Sequence, residues 1–278
     1  MLGIIGGSGV QNLEGINWEG EIDISTPFGQ PSSPVKLGEI GGKKIAFITR
    51  HGPGHTFTPT EVPYRANIWA LKKVGVTAIL SVSAVGSLKE EFAPGDFVII
   101  DDFIDKTFAR ENTFFKDLGV VAHTPLAPAA CPTLKEIVKK AAKEAGVDLK
   151  EGGVYVCIEG PQFSTMAESK MHQQWGASIV GMTNATEFRL AREAGLCYLS
   201  ISMVTDYDVW KEHKVDAQEV LKVMAANISK AQKLIPYIVK HFDDNPECVC
   251  HLLNKNAVVT DPTKVTDDIR EIIDFLLE

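Results

Sequence analysis

Short apolar segments with the length of buried strands alternate with amphipathic helical patterns from the N-terminus almost to residue 240. This alternation is typical of an α/β domain, in which helices cover both faces of an open sheet. No Pro/Gly/Ser-rich linker, charge run or repeat divides the chain, and 278 residues with 45% hydrophobic content can bury one large core. We therefore predict a single α/β domain.

The pattern also predicts where the individual elements lie. A hairpin is expected around Gly41-Gly42, and a helix is expected to begin near Pro132, with Thr133 as its cap and Glu136 completing a capping box. Strands are predicted over residues 2–5, 35–37, 44–49, 76–82, 97–104, 153–158, 179–180 and 196–203, and further helices over 62–74, 164–175, 184–194, 216–241 and 265–277.

Two aspartates, Asp206 and Asp208, follow the apolar run 196–203. Ligands of open α/β sheets bind beyond the carboxyl ends of the strands, so both carboxylates are expected to face one crevice. There they could exchange protons and hydrogen bonds with a polar ring. Aspartate is also a common turn former, and the triplet alone, without its neighbours, favours a solvated surface turn.

Three other strand ends carry groups that suit a tetrahedral oxyanion: the Gly6-Gly7-Ser8 loop, Arg50-His51, and Ser83-Ala84. An arginine donates in a planar fork, and small residues let backbone amides approach an anion. The glycine loop matches neither a dinucleotide fingerprint nor a Walker loop. Phosphate or a phosphoryl group is the expected occupant, although each element alone could be an ion-pair partner or a turn cap.

Neither the histidines nor the cysteines have the spacing of a metal site, and we predict none. The histidines of segment 51–55 would need a helix, which Gly52-Pro53-Gly54 forbids. Cys248-Val249-Cys250 has a single intervening residue and no second CxxC, and Cys197 is expected to be a small buried hydrophobe. A disulfide in the CxC segment would be expected only in a hyperthermophile.

The acidic balance, with a formal net charge of −8, argues against nucleic acid or an anionic membrane surface as a partner. The N-terminus has no basic region typical of a signal peptide, and no apolar stretch approaches about 18 residues. A small-molecule substrate and a cytoplasmic location are expected.

Eight segments, read in order from about residue 3 to about residue 240, jointly resemble the 5'-methylthioadenosine phosphorylases of the trimeric purine nucleoside phosphorylase group. They are GGSG at 6–9, RHGPGH at 50–55, NIWAL at 67–71, SAVGSL at 83–88, PGD at 94–96, IEGPQFS at 158–164, GMT at 181–183 and TDYD at 205–208.

The resemblance implies one domain over residues 1–244, built on a central mixed, twisted sheet flanked by helices, and a C-terminal extension over 245–278. It implies that inorganic phosphate attacks methylthioadenosine and releases adenine and 5-methylthioribose 1-phosphate. No cofactor is expected, since phosphate is a co-substrate. The implied assembly is a homotrimer or a dimer of trimers.

Residue by residue, the resemblance assigns four groups of contacts. Phe163 would stack near the base, Asp206 and Asp208 would face the purine, Met182 would contact the ribose, and His123 would come from a neighbouring subunit. The phosphate would be held by Ser8, Arg50, His51, Ser83, Ala84 and Thr183, and the methylthio group by Val215, Val220 and Leu221.

The choice of base follows from hydrogen-bonding capacity. Adenine donates from its exocyclic amine, which an ionised carboxylate accepts, whereas a 6-oxopurine would prefer an amide. Two aspartates favour adenine, but Asn184 keeps open a phosphorylase for methylthioinosine, inosine or guanosine. A hydrolase and a nucleotide-binding module without turnover are weaker alternatives.

Overall fold

The computed structural model describes residues 1–7, 9, 15–211, 217–243 and 248–277. The strands are β1 (Leu2–Gly6), β2 (Asn17–Ile22), β3 (Val35–Ile40), β4 (Lys43–Thr49), β5 (Ala78–Ser87), β6 (Phe97–Ile99), β7 (Asp102–Asp105), β8 (Leu149–Glu151), β9 (Val154–Cys157), β10 (Ile179–Gly181) and β11 (Cys197–Asp206). The helices are α1 (Tyr64–Lys73), α2 (Pro132–Ala145), α3 (Met166–Gln174), α4 (Asn184–Glu193), α5 (Ala217–His241) and α6 (Asp267–Leu277), with 3₁₀ turns at Val249–His251 and Pro262–Lys264.

These strands form one mixed sheet in the order β2-β3-β4-β1-β5-β10-β9-β7, with β11 pairing β5 and β6. Strand β1 is parallel to β4 and β5, β11 is parallel to β5, and β10 is antiparallel to β5. Helices α2 and α5 pack on one face, and α1, α4 and α6 pack on the other. The predicted α/β domain with a mixed sheet flanked by helices is confirmed.

Burial on both faces explains why the central strands are continuous apolar runs rather than alternating ones. All five residues of β1 are buried, as are nine of the ten residues of β11. A strand covered by helices on both sides has no solvent face that polar side chains could occupy. The polar residues therefore collect where these strands end.

Two local predictions were wrong. The strand predicted over residues 97–104 is two strands, because the chain bends at Asp101: β6 pairs with β11 and β8, while β7 pairs with β9. The cap of α2 is Cys131 rather than Thr133, since the Cys131 side chain accepts the Leu134 N–H and Pro132 takes the first helical position.

The C-terminal segment packs closely on the rest of the chain. In α6, Ile273 and Leu276 are buried, and the Phe275 ring lies 4.1 Å from the Trp69 ring of α1. Lys72 Nζ donates to the Leu276 carbonyl at 2.9 Å. Among the described residues, no helix combines the length and the hydropathy needed to cross a membrane.

Candidate active site

Strand β5 is the axis of the candidate site, because three neighbouring segments converge on its second half. The parallel strand β11 brings Asp206 beside Gly86. The antiparallel strand β10 pairs Val180 with Gly86, so the chain that leaves β10 runs back towards Ser83. Arg50 follows β4 directly, and its guanidinium reaches the β5 backbone at the Val82 carbonyl, 3.1 Å from Nη1.

The two predicted carboxylates do lie together. Asp206 Oδ1 accepts the Asp208 N–H at 2.8 Å, and Asp206 Oδ2 accepts the Thr205 hydroxyl at 2.7 Å. Asp208 is only 5% exposed, and its Oδ2 is buried with no hydrogen-bond partner among the described residues. Its φ of +52° is a conformation that few non-glycine residues adopt, and such residues concentrate at functional sites.

Burial raises the pKa of Asp208 above its ordinary value. The Ser169 side chain on α3 lowers the pKa and so opposes this shift, whereas the neighbouring charge of Asp206 adds to it. This shift makes the Asp208 carboxyl easier to protonate than an ordinary aspartate. A neutral carboxyl beside a hydrogen-bonded carboxylate can donate to one atom of a purine edge while its partner accepts from another. Ser169 has no sequence motif, and our sequence analysis missed it.

A glycine on β5 makes room for this pair. A Cβ atom at Gly86 would lie 3.2 Å from Asp206 Oδ1, 3.4 Å from Asp208 Cβ and 3.1 Å from Val180 Cγ1. Any larger residue would push the carboxyl groups away from the strand, so this glycine is part of the site's shape.

Arg50 is held by a buried acid that the sequence analysis did not identify. Its Nε and Nη2 donate to the two carboxylate oxygens of Glu187 on α4, and both side chains are at most 3% exposed. Nη2 also donates to Ser81 Oγ at 2.7 Å, and the Tyr198 hydroxyl donates to Glu187 at 2.9 Å. Burial lowers the pKa of Arg50, but the charge and hydrogen bonds of Glu187 outweigh burial and raise it.

The Arg50 fork is therefore fixed in orientation, with its charge balanced. Within the described part of the chain, the Val82 carbonyl is the one acceptor of Nη1. Because Nη1 carries two N–H groups, the other remains to donate to an oxyanion.

Ser83 and Asn184 belong to the same network. Ser83 Oγ donates to Asn184 Oδ1 at 2.7 Å, and Asn184 Nδ2 donates to Ser81 Oγ at 2.7 Å and to the Tyr198 hydroxyl at 2.8 Å. Both amide atoms of Asn184 are engaged, and the residue is fully buried. It therefore presents no free amide to a base, in contrast to the alternative that the sequence kept open.

Thr183 precedes α4 and is buried, but its hydroxyl makes no capping bond to the described first turn of that helix. Ala84 is half-buried on β5. The Thr183 hydroxyl thus has no capping bond in the described first turn of α4 to lose when it binds a ligand.

His51 is a neutral acceptor rather than a cation. Burial, followed by the positive charge of Arg50, lowers the pKa of His51 to about 4. Nδ1 lies 2.9 Å from the Phe57 carbonyl, so this nitrogen carries the proton and Nε2 keeps its lone pair. The ring stacks on His55 with centroids 4.2 Å apart. Nε2 can accept from a protonated phosphate oxygen.

The other predicted contacts that the structure describes are exposed or half-buried. Phe163 is 77% exposed, Leu221 is 68% exposed, and Val220 is half-buried on α5. His123 is exposed, and its backbone N–H donates to the Ala257 carbonyl at 2.8 Å. Two predicted residues, Ser8 and Val215, lie outside the described residues.

A second arginine, which the sequence analysis missed, holds the loop that carries Phe163. Arg110 Nε donates to Glu159 Oε1 at 3.1 Å, and its Nη atoms donate to the Met182 and Glu159 carbonyls. The Met182 side chain packs directly over Gly160, where a Cβ would lie 2.5 Å from Sδ. Arg110 stands in an irregular stretch with no periodic pattern, so only the fold reveals it.

Comparisons with known proteins identify the family of this chain. Residues 1–240 match the model of the phosphorylase superfamily. The S-methyl-5'-thioadenosine phosphorylase of Pyrococcus furiosus is 52% identical over 249 residues, which cover 90% of this chain and 95% of that protein. The protein of the same name from Geobacter sulfurreducens is 44% identical over 280 residues, covering 100% and 98%. The crystal structure of a methylthioadenosine phosphorylase sourced from an antarctic soil metagenomic library is similar, with a TM-score of 0.93, 43% identity and coverage of 100% and 98%.

Proposed function

The chain belongs to the phosphorylase superfamily, and we propose that it catalyses the phosphorolysis of 5'-methylthioadenosine to adenine and 5-methylthioribose 1-phosphate. One observation of the structure carries the proposal. The carboxyl pair of Asp206 and Asp208 lies at Gly86. Arg50 and the hydroxyls of Ser81 and Ser83, which we call the phosphate cradle, lie further back along the same strand. Ser83 and Gly86 are three positions apart, which is roughly 10 Å along a strand. A sugar can lie between a base at one end and phosphate at the other.

The chemistry requires two kinds of stabilisation. Cleavage of the glycosidic bond passes through an oxocarbenium-like state in which negative charge grows on the departing purine. In our proposal, the Asp206–Asp208 pair shares a proton with the imidazole edge and accepts from the amino group. Arg50, Ser83, Thr183 and neighbouring groups position phosphate below the anomeric carbon, so no covalent intermediate with the protein is needed.

The proposed base is adenine. Both residues at the purine edge are aspartates, and the Asn184 amide is already bonded to Ser83, Ser81 and Tyr198. A 6-oxopurine would bring an acceptor towards a carboxylate that is already an acceptor, which is unfavourable.

We further propose a homotrimer or a dimer of trimers, in which a neighbouring subunit brings His123 to the sugar. The exposure of Phe163, Leu221 and His123 supports this proposal, because large apolar side chains at a substrate pocket are normally covered. A cytoplasmic location is also proposed, since the structure has no disulfide among its five cysteines, as fits a reducing compartment.

The decisive assay follows adenine release from methylthioadenosine with and without phosphate. We expect release to depend on phosphate and kcat/KM to be higher for methylthioadenosine than for methylthioinosine. Release at an equal rate without phosphate would identify a hydrolase, and a preference for the 6-oxo substrate would overturn the base assignment.

Thr183→Val tests the phosphate cradle directly. The Thr183 hydroxyl makes no bond to the first turn of α4, so the variant should keep its thermal stability. Loss of one hydrogen bond to an anion, about 1.5–3 kcal/mol, should raise the KM for phosphate by roughly 10- to 150-fold. Thr183→Ser keeps the hydroxyl and serves as the matched control. An unchanged phosphate KM in Thr183→Val would show that the cradle is misplaced.

A further inference from the structure

Four cysteine sulfurs meet at the start of β11, the end of that strand opposite to Asp206. The Sγ atoms of Cys131, Cys197, Cys248 and Cys250 all lie within 4.8 Å of one another. They come from three separate segments: the cap of α2, the first residue of β11 and the C-terminal segment. Sequence spacing showed only the CxC pair, because the other two thiols arrive through the fold.

The spacing of the sulfurs fits a tetrahedral thiolate site. Zn–S bonds of about 2.3 Å place the sulfurs of a Cys₄ site about 3.8 Å apart. The Cys131 and Cys248 sulfurs are 3.4 Å apart, and no pair of the cluster exceeds 4.8 Å. Small side-chain movements would therefore bring all four sulfurs to a common ion.

The N-terminal end of α2 favours a thiolate at Cys131. Cys131 Sγ accepts the Leu134 N–H at the positive end of the 14-residue helix α2. The His251 ring lies with Nε2 3.6 Å from Cys197 Sγ, and its Nδ1 is held by the Gly195 carbonyl at 2.7 Å.

We propose that Cys131, Cys197, Cys248 and Cys250 bind one Zn²⁺ as a structural tetrathiolate site. Binding replaces four S–H protons, which pass to solvent, with four Zn–S bonds, and no oxidant or reductant is involved. The ion fastens the C-terminal segment to the start of β11. Nine residues of strand, roughly 30 Å, separate Cys197 from Asp206, so the ion takes no part in the reaction.

The test is the zinc content of the purified full-length protein, measured by inductively coupled plasma mass spectrometry. The protein is reduced, incubated with Zn²⁺ and freed of unbound metal on a column without chelator. We expect one zinc per chain, and at least a tenfold lower content in Cys248→Ser and Cys250→Ser. Cys157→Ala, which removes a buried thiol outside the cluster, should keep one zinc per chain.

The wild-type protein alone can overturn the proposal, whatever the folding of the serine variants. Alkylation of the unreduced, denatured protein counts the free thiols. Two disulfides among the four cysteines and failure to retain zinc after reduction would refute the site. Five free thiols without retained zinc would refute it equally.

Discussion

Asp208→Asn is expected to stabilise the protein while it removes most of the activity. The wild-type carboxyl is buried, has an oxygen without a described partner and lies next to Asp206. An amide of the same shape carries no charge to desolvate, and asparagine tolerates a φ of +52° better than most residues. General acid–base assistance by one side chain is worth about 10²- to 10⁴-fold, so kcat should fall within that range.

The gain in stability should depend on pH in a defined direction. Because the folded pKa of Asp208 is raised, its protonated form stabilises the fold below its ordinary pKa of 3.8, and this stabilisation is lost as pH rises through the folded pKa. At pH 8 the variant avoids the cost of a buried carboxylate, and we expect a gain of about 1 kcal/mol. For a chain of this size this corresponds to an increase in Tm of about 2–4 °C. The difference should disappear near pH 4.

Asp206→Asn is the matched comparison, measured by thermal unfolding from pH 4 to pH 8 and by steady-state turnover. Both Asp206 oxygens accept hydrogen bonds, from Asp208 N–H and the Thr205 hydroxyl. Replacing a charged acceptor by a neutral one should cost about 1 kcal/mol, the opposite sign. If Asp208→Asn lowers Tm at pH 8 as much as Asp206→Asn does, Asp208 is not a carboxyl held at the expense of stability.

Four further substitutions test the surroundings of the site and the packing of the C-terminal helix. Glu187→Gln should lower the free energy of unfolding by about 3–5 kcal/mol, because Arg50 becomes a buried charge without its partner. Glu193→Gln on the same helix should cost under about 1 kcal/mol, because burial already raises the pKa of Glu193 to about 7. Equal urea unfolding midpoints for the Glu187→Gln and Glu193→Gln variants would contradict this contrast. Gly86→Ala should cost about 1–3 kcal/mol and reduce kcat, since its Cβ would lie 3.2 Å from a carboxylate oxygen; unchanged turnover would separate the glycine from the site. Leu276→Ala should cost about 2–5 kcal/mol with kcat unchanged, measured by urea unfolding, and a smaller loss would show that α6 contributes little to the core.

The sequence was most informative where a signal is local. The apolar runs placed β1, β4 and β11 to within a few residues, because burial on both faces leaves continuous hydrophobic segments. It did not predict β2 or β8, and it predicted only part of β5, over residues 76–82, although that strand extends to Ser87. The added residues are small or polar, and pairing with β10 and β11 keeps them extended.

The candidate site divides in the same way. Arg50 and the aspartates could be recognised because each follows a predicted strand. Glu187 could not be linked to Arg50, since 137 residues separate them in sequence. One signal was present, however: Glu187 lies on α4 among the buried residues Ala185, Phe188 and Ala191, and a charge there implies a buried partner.

That buried partner bears on how phosphate is selected. Glu187 balances the charge of Arg50, so the centre of the cradle does not attract an anion through excess positive charge. His51 is neutral near pH 7, because its pKa is about 4, and adds no charge. Among the described residues, recognition then depends on two directed donors, the second Nη1 N–H of Arg50 and the Thr183 hydroxyl. The acceptors are His51 Nε2 and the oxygen of Ser83, whose proton is donated to Asn184. Such a cradle is matched to a tetrahedral oxyanion that still carries a proton, which inorganic phosphate retains at neutral pH and sulfate does not.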